Sequence, residues 1–456
     1  MNLPKPDDIK SIENAIYIEH HVQRIITQQE TNGVYFNKER ARFYIYVLRE
    51  KQQELYKQIR PLLSLEIRKP FTVPISKPYL KDGSYSSSVV KWYGGKEDDE
   101  VPDICGQFSR VEFCEPDLGS RQKLITQLLA LRWTPRSFTP KGSPKLTVDG
   151  EPCPSLLKIN SKVGKWVAEW YTYRHRESQI KGWLKNLRSD NRLSAKAITI
   201  GTPTFRFRHS VVVNVPKAAK QILFGHQMRS LFCVPRGHRL VGHDASGLEL
   251  RMLAHYINDS TYTNEVVHGD PHTRNQRDAG LATRDDAKTF IYAFIYGAGD
   301  GKIGSIVGGN ARSGKLVKAK FLSANPKLKE LIETTQRAAK RGYLIGLDGR
   351  KISLRRDKLT GKIQIHKALN TLLQAAGATV MKWSMVVLDE WVRQYRLDAK
   401  KVVDMHDEGQ AEVINKDVDM YKTLAELSLK QAGVLLQLNC PLAAEAKDGN
   451  NWAQTH

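Results

Sequence analysis

Three short segments gather the residue types that can do chemistry. In the first, residues 241–251 (VGHDASGLELR), the apolar pair Leu240 and Val241 runs into Asp244, and Leu248 to Leu253 continues at helical spacing. Asp244 is therefore expected where a strand turns into a helix, a position that suits a metal-binding carboxylate but where a lone Asp is more often a helix cap, so this segment does not decide alone. In the second, residues 283–297 (TRDDAKTFIYAFIYG), Arg284, Lys288, Tyr292 and Tyr296 recur every four residues. At about 100° per residue they share one slowly drifting face of a helix capped by Thr283. Two cations followed by two rings could receive a triphosphate at one end and a stacked ring at the other; a solvated cationic stripe above buried tyrosines reads equally well. In the third, residues 401–413 (KVVDMHDEGQAEV), two β-like runs flank the polar turn His406-Asp407-Glu408-Gly409. Adjacent carboxylates at a hairpin tip repel one another unless a cation or solvent compensates. A tight turn by itself favours Asn-Gly or Asp-Gly, so this segment points towards metal.

Two other stretches imitate phosphate-binding motifs. Residues 309–316 (GNARSGKL) nearly spell a phosphate loop, but Leu316 stands where Ser or Thr is required and no strand precedes it. Residues 297–301 (GAGDG) lack the strand–turn–helix setting of a dinucleotide fingerprint. Both are expected to be loops.

The elements that must position these residues are mostly helical. Residues 13–31 carry Ile18, Val22, Ile25 and Ile26 at helical spacing, and after Gly33 a second helix capped by Asn37 is expected to run to about Leu62. From Ser64 to about Ser120 the pattern dissolves into Pro, Gly, Ser and isolated aromatics, too long for a simple connection. Its first half is basic (Arg68, Lys69, Lys77, Lys81, Lys91, Lys96) and interleaved with Phe71, Tyr79, Tyr85, Trp92 and Tyr93, while its second half is acidic from Glu97 to Asp117. The basic half reads as a nucleic-acid or partner-protein surface, or as a small solvated β-rich excursion. Helix is expected again near 121–131 and from about 158 to 187, then a short β-rich stretch from Ala197 to Val215.

The chain has 456 residues, with 71 Lys+Arg against 48 Asp+Glu, so 71 − 48 = +23. Such an excess is foreign to an ordinary metabolic enzyme and attracts phosphate at long range, so nucleic acid is the leading partner. With 41% apolar residues the chain can bury a sizeable core, either as about three domains or as one articulated unit. The five scattered cysteines offer neither a zinc spacing nor a disulfide framework. No run approaches about 18 apolar residues and the start MNLPKPDDIK is no signal peptide, so a soluble intracellular protein without a membrane partner is expected.

Taken in this order, DASGLELR, RDDAKTFIYAFIYG and MHDE resemble the three catalytic motifs of family A DNA polymerases, in the phage replicative, podovirus-type branch. The resemblance runs from EHHVQRIITQQETNGVYF (19–36) through GDPHTRNQ (269–276), GLDGRK (346–351) and ALNTLLQAAGA (368–378) to the terminal NWAQTH. It implies an α+β right-hand polymerase fold with an antiparallel-sheet palm, helical fingers and a helical thumb. The expected regions are a thumb over 1–189 with an insertion at about 64–120, palm over 190–259, fingers over 260–365 and palm again over 366–456. It implies a template-directed DNA polymerase acting on primer–template DNA and dNTPs. Asp244 and Asp407 would hold two Mg²⁺ ions, with Mn²⁺ as a substitute, the Ala245 carbonyl would add a ligand, and Glu408 would support the primer end. Arg284 and Lys288 would bind the triphosphate with His272 beside them. Tyr292 matches the position packing on the sugar, where a tyrosine in this family admits dideoxynucleotides; Glu249 matches the gate crowding a ribose 2′-hydroxyl, and Tyr296 stacks near the templating site. Arg206, His209, Arg229, Asn370, Gln374 and His406 match further DNA contacts.

The chain departs from the family pattern at Thr204-Phe-Arg206, where relatives read Thr-Gly-Arg, which unsettles the role of Arg206. Met1 stands barely a dozen residues before the first thumb helix, so the proofreading exonuclease domain of phage relatives is not expected within this chain. A separate 3′–5′ exonuclease subunit is the preferred expectation, a truncated chain the other. The insertion occupies the place where some relatives bind a processivity factor. A phage-encoded chain would work in the cytoplasm of the infected host. Two competing readings are a single-subunit RNA polymerase, which Glu249 opposes, and a catalytically inactive DNA-binding accessory subunit, which would not need Asp244 and Asp407.

Overall fold

Apolar and small residues at Leu240, Val241, Gly242, Val402, Val403, Ala411 and Val413 let strands pack with both faces covered. In a computed structural model, which describes residues 11–68, 76–93, 112–139, 142–148, 151–159, 162–357 and 359–455, they form an antiparallel sheet. Its strands, with their neighbouring helices, are best named along the chain. Helix α1 spans Ile12–Asn32, strand β1 His238–Ala245, and helix α2 Leu248–Ile257. Helices α3 (Pro271–Ala279) and α4 (Arg284–Ile295) follow, then the long α5 (Ala368–Gln394). The hairpin β2 (Ala399–Met405) and β3 (Glu408–Ile414), helix α6 (Val418–Leu435) and β4 (Ala444–Gly449) complete this part. The sheet order is β2-β3-β1-β4, all antiparallel, so β1 is paired on both sides by strands from the C-terminal part of the chain.

The core of this part lies around α5, whose residues from Leu372 to Leu388 are nearly all buried. Ile18, Val22 and Ile26 of α1, Leu250 and Leu253 of α2, Phe290 and Ile295 of α4, and Leu429 and Ala432 of α6 close against Val380, Trp383 and Val387. By length and composition the helical stretch 365–394 is apolar enough to cross a membrane, but 83% of that window is buried inside the protein, where it serves as the central core helix. Its apolar character comes from mixing Ala and Gly with larger residues rather than from an unbroken apolar run, which is why the sequence shows none.

Three buried charged side chains, Lys382, Arg350 and Asp348, meet the half-buried Glu19 in this core region. Lys382 of α5 donates to both carboxylate oxygens of Glu19 on α1 at 2.7 Å and to the Thr199 carbonyl at 3.0 Å. Arg350 also meets Glu19 and pairs with the fully buried Asp348 at 2.6 Å. The Arg350 guanidinium lies 4.7 Å from the Phe205 ring centroid and the Lys382 ammonium 5.4 Å from that of Phe207. The buried cations thus grip the two aromatic residues on either side of Arg206.

The chain divides into two compact units, residues 1–42 with 180–456 and residues 43–179. The expected first region, 1–189, is therefore split: α1 packs on α5 and β2 and belongs to the larger unit, because its apolar stripe is needed to close that core. The smaller unit has its own core, in which Ile59, Leu124, Leu128, Trp133, Leu156 and Val167 are buried. The helix Lys38–Ile59 starts after Asn37, whose side chain accepts from the Arg40 amide, and the helix Arg121–Ala130 lies where the sequence places one. Within 64–120, strand Glu66–Arg68 pairs with Glu112–Cys114, Tyr79 stacks on Tyr85 at 5.3 Å, and Lys77, Lys81 and Lys91 are exposed. Lys69, Phe71, Lys96 and the acidic run from Glu97 to Asp103 lie outside the described residues, as do Cys105 and the side chains of Arg68, Trp92 and Tyr93.

Two expectations change. The 197–215 stretch is less β-rich than its composition suggests, with only Lys196–Ile198 and Arg208–Ser210 paired. The imitation phosphate loop is no loop beyond Asn310, which caps the helix Ala311–Ala324 by accepting from the Arg312 and Ser313 amides.

Removing Lys382 leaves Glu19 short of one buried partner. Lys382→Met should cost about 3 kcal/mol in urea denaturation, and adding Glu19→Gln should restore much of it, since a lone buried charge is worse than none. Equal stability of the single variant and the wild type would refute this role.

Candidate active site

The sheet register brings the candidate carboxylates together. In the β1–β3 pairing Asp244 stands directly opposite Glu408, and the turn joining β2 to β3 is only His406-Asp407. The Ala245 amide donates to the Asp407 carbonyl at 3.0 Å, tying the end of β1 to the hairpin tip. His406 has φ +58°, a left-handed conformation that a two-residue hairpin turn ordinarily gives to glycine. Asp244 does not cap α2; Gly247 stands at that position, so of the two sequence readings the cap falls away. Gly409 lies within β3 rather than in the turn. A Cβ there would stand 2.5 Å from the His243 ring, so the close approach of β1 requires glycine. His243 is itself buried, and desolvation pushes its imidazole down to about 4, keeping it neutral.

Asp407 is half-buried, and desolvation raises its carboxyl above the usual range, with Glu249 adding to the effect and His406 and Arg206 opposing it. Among the described residues no three His, Cys, Asp or Glu side chains form a closed metal-binding group. Two carboxylates and a nearby carbonyl still suit a hard divalent cation such as Mg²⁺, which typically takes one or two carboxylates and completes its shell with water and substrate phosphate. A half-buried carboxylate destabilised as an anion is also a fit for cation binding.

Glu408 faces protein donors. Its Oε1 accepts from Trp452 Nε1 and from Gln410 Nε2 at 2.7 Å, and its Oε2 lies 3.8 Å from Arg229 Nη1. Arg229, expected among the DNA contacts, is 5% exposed, donates to the Pro216 carbonyl and stacks on Trp452 at 4.9 Å. It sits under the carboxylates as a buried counter-charge, because Glu408 could not be buried without one. Thr455 in turn donates to Gln410 at 2.9 Å, so the C-terminal segment underpins the site.

Beside the carboxylates opens a cavity of about 220 Å³ lined by Arg206, Glu249, Tyr296, Gly377, Lys382, Asp404 and Asp407, among others. Glu249, in the first turn of α2, accepts at Oε1 from the Tyr296 hydroxyl at 3.1 Å and from Arg206 Nη2 at 3.3 Å. Burial and the Glu249 charge together hold the Tyr296 phenol up at about 12. Despite the unusual Thr204-Phe-Arg206 sequence, Arg206 thus reaches the site. His209 and His406 meet edge to face at 5.8 Å, and burial lowers the His209 pKa. Asn370 and Gln374 of α5 line an adjoining cavity of about 280 Å³ with Tyr296 and Lys367. On α4, capped by Thr283 through the Asp286 amide, Tyr292 is half-buried 6.1 Å from the His272 ring, and Lys288 is exposed. Arg284 makes a two-point pair with Asp270.

Sequence reasoning did not single out Asp404, Lys382, Asp270 or Trp452. Asp404, 4% exposed and paired with Lys401 at 2.7 Å, looked like one more residue of a β-like run. Asp270 and Trp452 lay inside segments noticed for other reasons.

This geometry can be set beside known proteins. The model of DNA polymerase family A matches residues 111–454, and the chain belongs to that family. It is 40% identical to a DNA-directed DNA polymerase of Escherichia phage Phieco32 over 64% of this chain and 60% of that one. It is 32% identical to the DNA-directed DNA polymerase of Escherichia phage T7 over 76% of this chain and 54% of that one. The chain thus aligns with little more than half the length of these relatives. The solved POL domain of Pol1 from M. smegmatis, in complex with DNA primer-template and dNTP, superposes with a TM-score of 0.72 at 18% identity, covering 96% of this chain and 70% of that one. The fold is accordingly the α+β right-hand polymerase fold.

Trp452→Phe would keep a ring beneath Arg229 while deleting the donor to buried Glu408. It should cost about 1.5–3 kcal/mol in chemical denaturation, as expected for a hydrogen bond to a charged group. An unchanged midpoint would show that Glu408 does not depend on the indole.

Proposed function

We propose that this chain is a template-directed DNA polymerase that transfers nucleotides from dNTPs to a primer 3′-hydroxyl with release of pyrophosphate, in phage-type genome replication. The observation that carries the reading is the register that puts Asp244 and Asp407 at one end of a central antiparallel pair, next to the cavity where Glu249, Tyr296 and Arg206 converge. Asp244 and Asp407, with the Ala245 carbonyl, would hold two Mg²⁺ ions, for which Mn²⁺ could substitute. Bound there, such ions supply the Lewis acidity that activates the primer hydroxyl and steadies the leaving pyrophosphate.

The protein's own groups do the rest. Arg284 and Lys288 on α4, with His272 at the start of α3, neutralise the triphosphate, and the helical spacing of the two cations aims them at one ligand. Tyr292 packs against the sugar. Glu249 crowds the ribose 2′ position, and its bonds from Tyr296 and Arg206 fix the carboxylate in that place. Tyr296 stacks near the templating base; Asn370 and Gln374 line one cavity beside it, Arg206 and His406 line the other, and these four with His209 contact the primer–template. Residues 190–259 and 366–456 are the palm, 260–365 the fingers, and the smaller unit is the thumb with its insertion. The +23 charge holds the duplex mainly through phosphates, so binding falls steeply with salt.

A single-subunit RNA polymerase is the second reading, and Glu249 weighs against it because a carboxylate fixed at the 2′ position disfavours ribonucleotides. An inactive accessory subunit would have no use for the register-held aspartates.

Primer extension with Mg²⁺ and dNTPs tests the activity. Wild type should extend, and Asp407→Ala should lose at least about a thousandfold while still binding duplex, as expected when electrostatic stabilisation of the reacting groups is removed. Extension by the variant at the wild-type rate would remove Asp407 from catalysis. Glu249→Ala should relax exclusion of ribonucleotides by about tenfold or more, read as the dNTP/rNTP ratio of incorporation efficiencies. An unchanged ratio would exclude the gate.

A further inference from the structure

Asp270 is assigned to none of the steps above, yet it holds a group that those steps need. Its Oδ2 accepts from Arg284 Nε at 2.6 Å and its Oδ1 from Arg284 Nη2 at 3.1 Å. This is the two-point fork that a guanidinium also offers to phosphate, so carboxylate and phosphate compete for the same donors. Asp270 cannot simply follow Arg284 elsewhere. The same carboxylate caps α3, accepting from the His272 amide at 3.1 Å and the Thr273 hydroxyl at 2.7 Å. It is therefore anchored at the place where Arg284, Lys288 and His272 are gathered: besides desolvation, the charges of Arg284 and Lys288 both lower the pKa of the His272 imidazole, and Asp270 opposes them. The nearby acids of α4 do not duplicate it: Asp286 is engaged with the Thr283 hydroxyl at 2.7 Å, and Asp285 acts on Arg284 through its charge alone, as the last and weakest of the influences on it.

We propose that Asp270 is an internal stand-in for phosphate, holding Arg284 when no triphosphate is present and competing for it with both the incoming triphosphate and the departing pyrophosphate. This rests on the reading that Arg284 meets the triphosphate. The pair is exposed to solvent on both sides, with side-chain exposures of 51% and 39%, so it is weak enough to exchange readily. Its effect is a tax on affinity: only the fraction of molecules with Arg284 released binds phosphate fully. The same factor applies to every triphosphate that needs Arg284, so the competition lowers affinity for nucleotide and pyrophosphate alike. After bond formation the carboxylate recaptures the guanidinium and helps pyrophosphate leave.

The test is single-turnover addition of one nucleotide by the full chain on a primer–template, with inorganic pyrophosphate as a second probe. Asp270→Asn keeps a good helix cap while removing the charge, and Asp270→Ser does so with a different side chain should the first variant fold poorly. Both should tighten the apparent dissociation constant for the correct dNTP by about two- to fivefold, the range an exposed ion pair allows, and tighten pyrophosphate inhibition by a similar factor. The change should lie in binding rather than in the maximal rate. Arg284→Ala should weaken dNTP binding, and in that background Asp270→Asn should have no further effect. If Arg284→Ala weakens binding but Asp270→Asn leaves it unchanged or weakens it too, the competition is refuted while the triphosphate role of Arg284 stands. If Arg284→Ala does not alter binding, the triphosphate role fails and the proposal falls with it.

Discussion

The antiparallel pairing of β1 with β3 is the constraint on which the rest of the site depends. It sets Asp244 against Glu408, and the bond from the Ala245 amide to the Asp407 carbonyl fixes the hairpin tip beside it. A slip of one residue would turn Asp244 to the opposite face of the sheet, so the register itself is part of the site. Two local costs are tolerated to keep it. His406 adopts a left-handed backbone, and Gly409 surrenders its side chain to the His243 ring.

Acidic groups brought so close need compensation, and the fold provides it from below. Arg229 and the indole of Trp452 meet Glu408 from the buried side, while Gln410 and Thr455 extend the hydrogen bonding to the end of the chain. The consequence is a division of labour among neighbouring carboxylates. Glu408 is bound to protein donors, whereas Asp407 stays half-open with a carboxyl that burial makes easier to protonate. A residue next to Asp407 in the chain is thus held by protein donors, and Trp452, far along the chain, is one of those that hold it.

A second buried system steadies the opposite wall of the cavity. Glu19, Lys382, Arg350 and Asp348 balance one another electrically, and their cations lie against Phe207 and Phe205. Arg206 between those rings reaches Glu249, which Tyr296 binds from the other side. Helix α1, the 346–350 turn and α5 therefore converge on the position of one carboxylate in the cavity. Burial of Lys382, Arg350 and Asp348 is tolerable only because each has a partner.

The helices with strong periodicity and clear caps could be read directly: Asn37 and Thr283 begin helices where their side chains can accept backbone amides, and the four-residue spacing of Arg284, Lys288, Tyr292 and Tyr296 needs nothing but the helical turn. The elements of the three segments around Asp244, Arg284 and Asp407 were legible for the same reason, since strand-to-helix and hairpin patterns are local. What the sequence by itself determined was which residues are available for chemistry and on what kind of element each stands. Tertiary structure alone decided which of them meet. Nothing near Asp270 in the chain announces Arg284, nothing in the terminal NWAQTH announces Glu408, and Arg229 looks like any basic residue until burial places it under a carboxylate. Those pairings depend on strand register and helix packing between distant segments, and such long-range contacts leave no periodicity in the residues that make them.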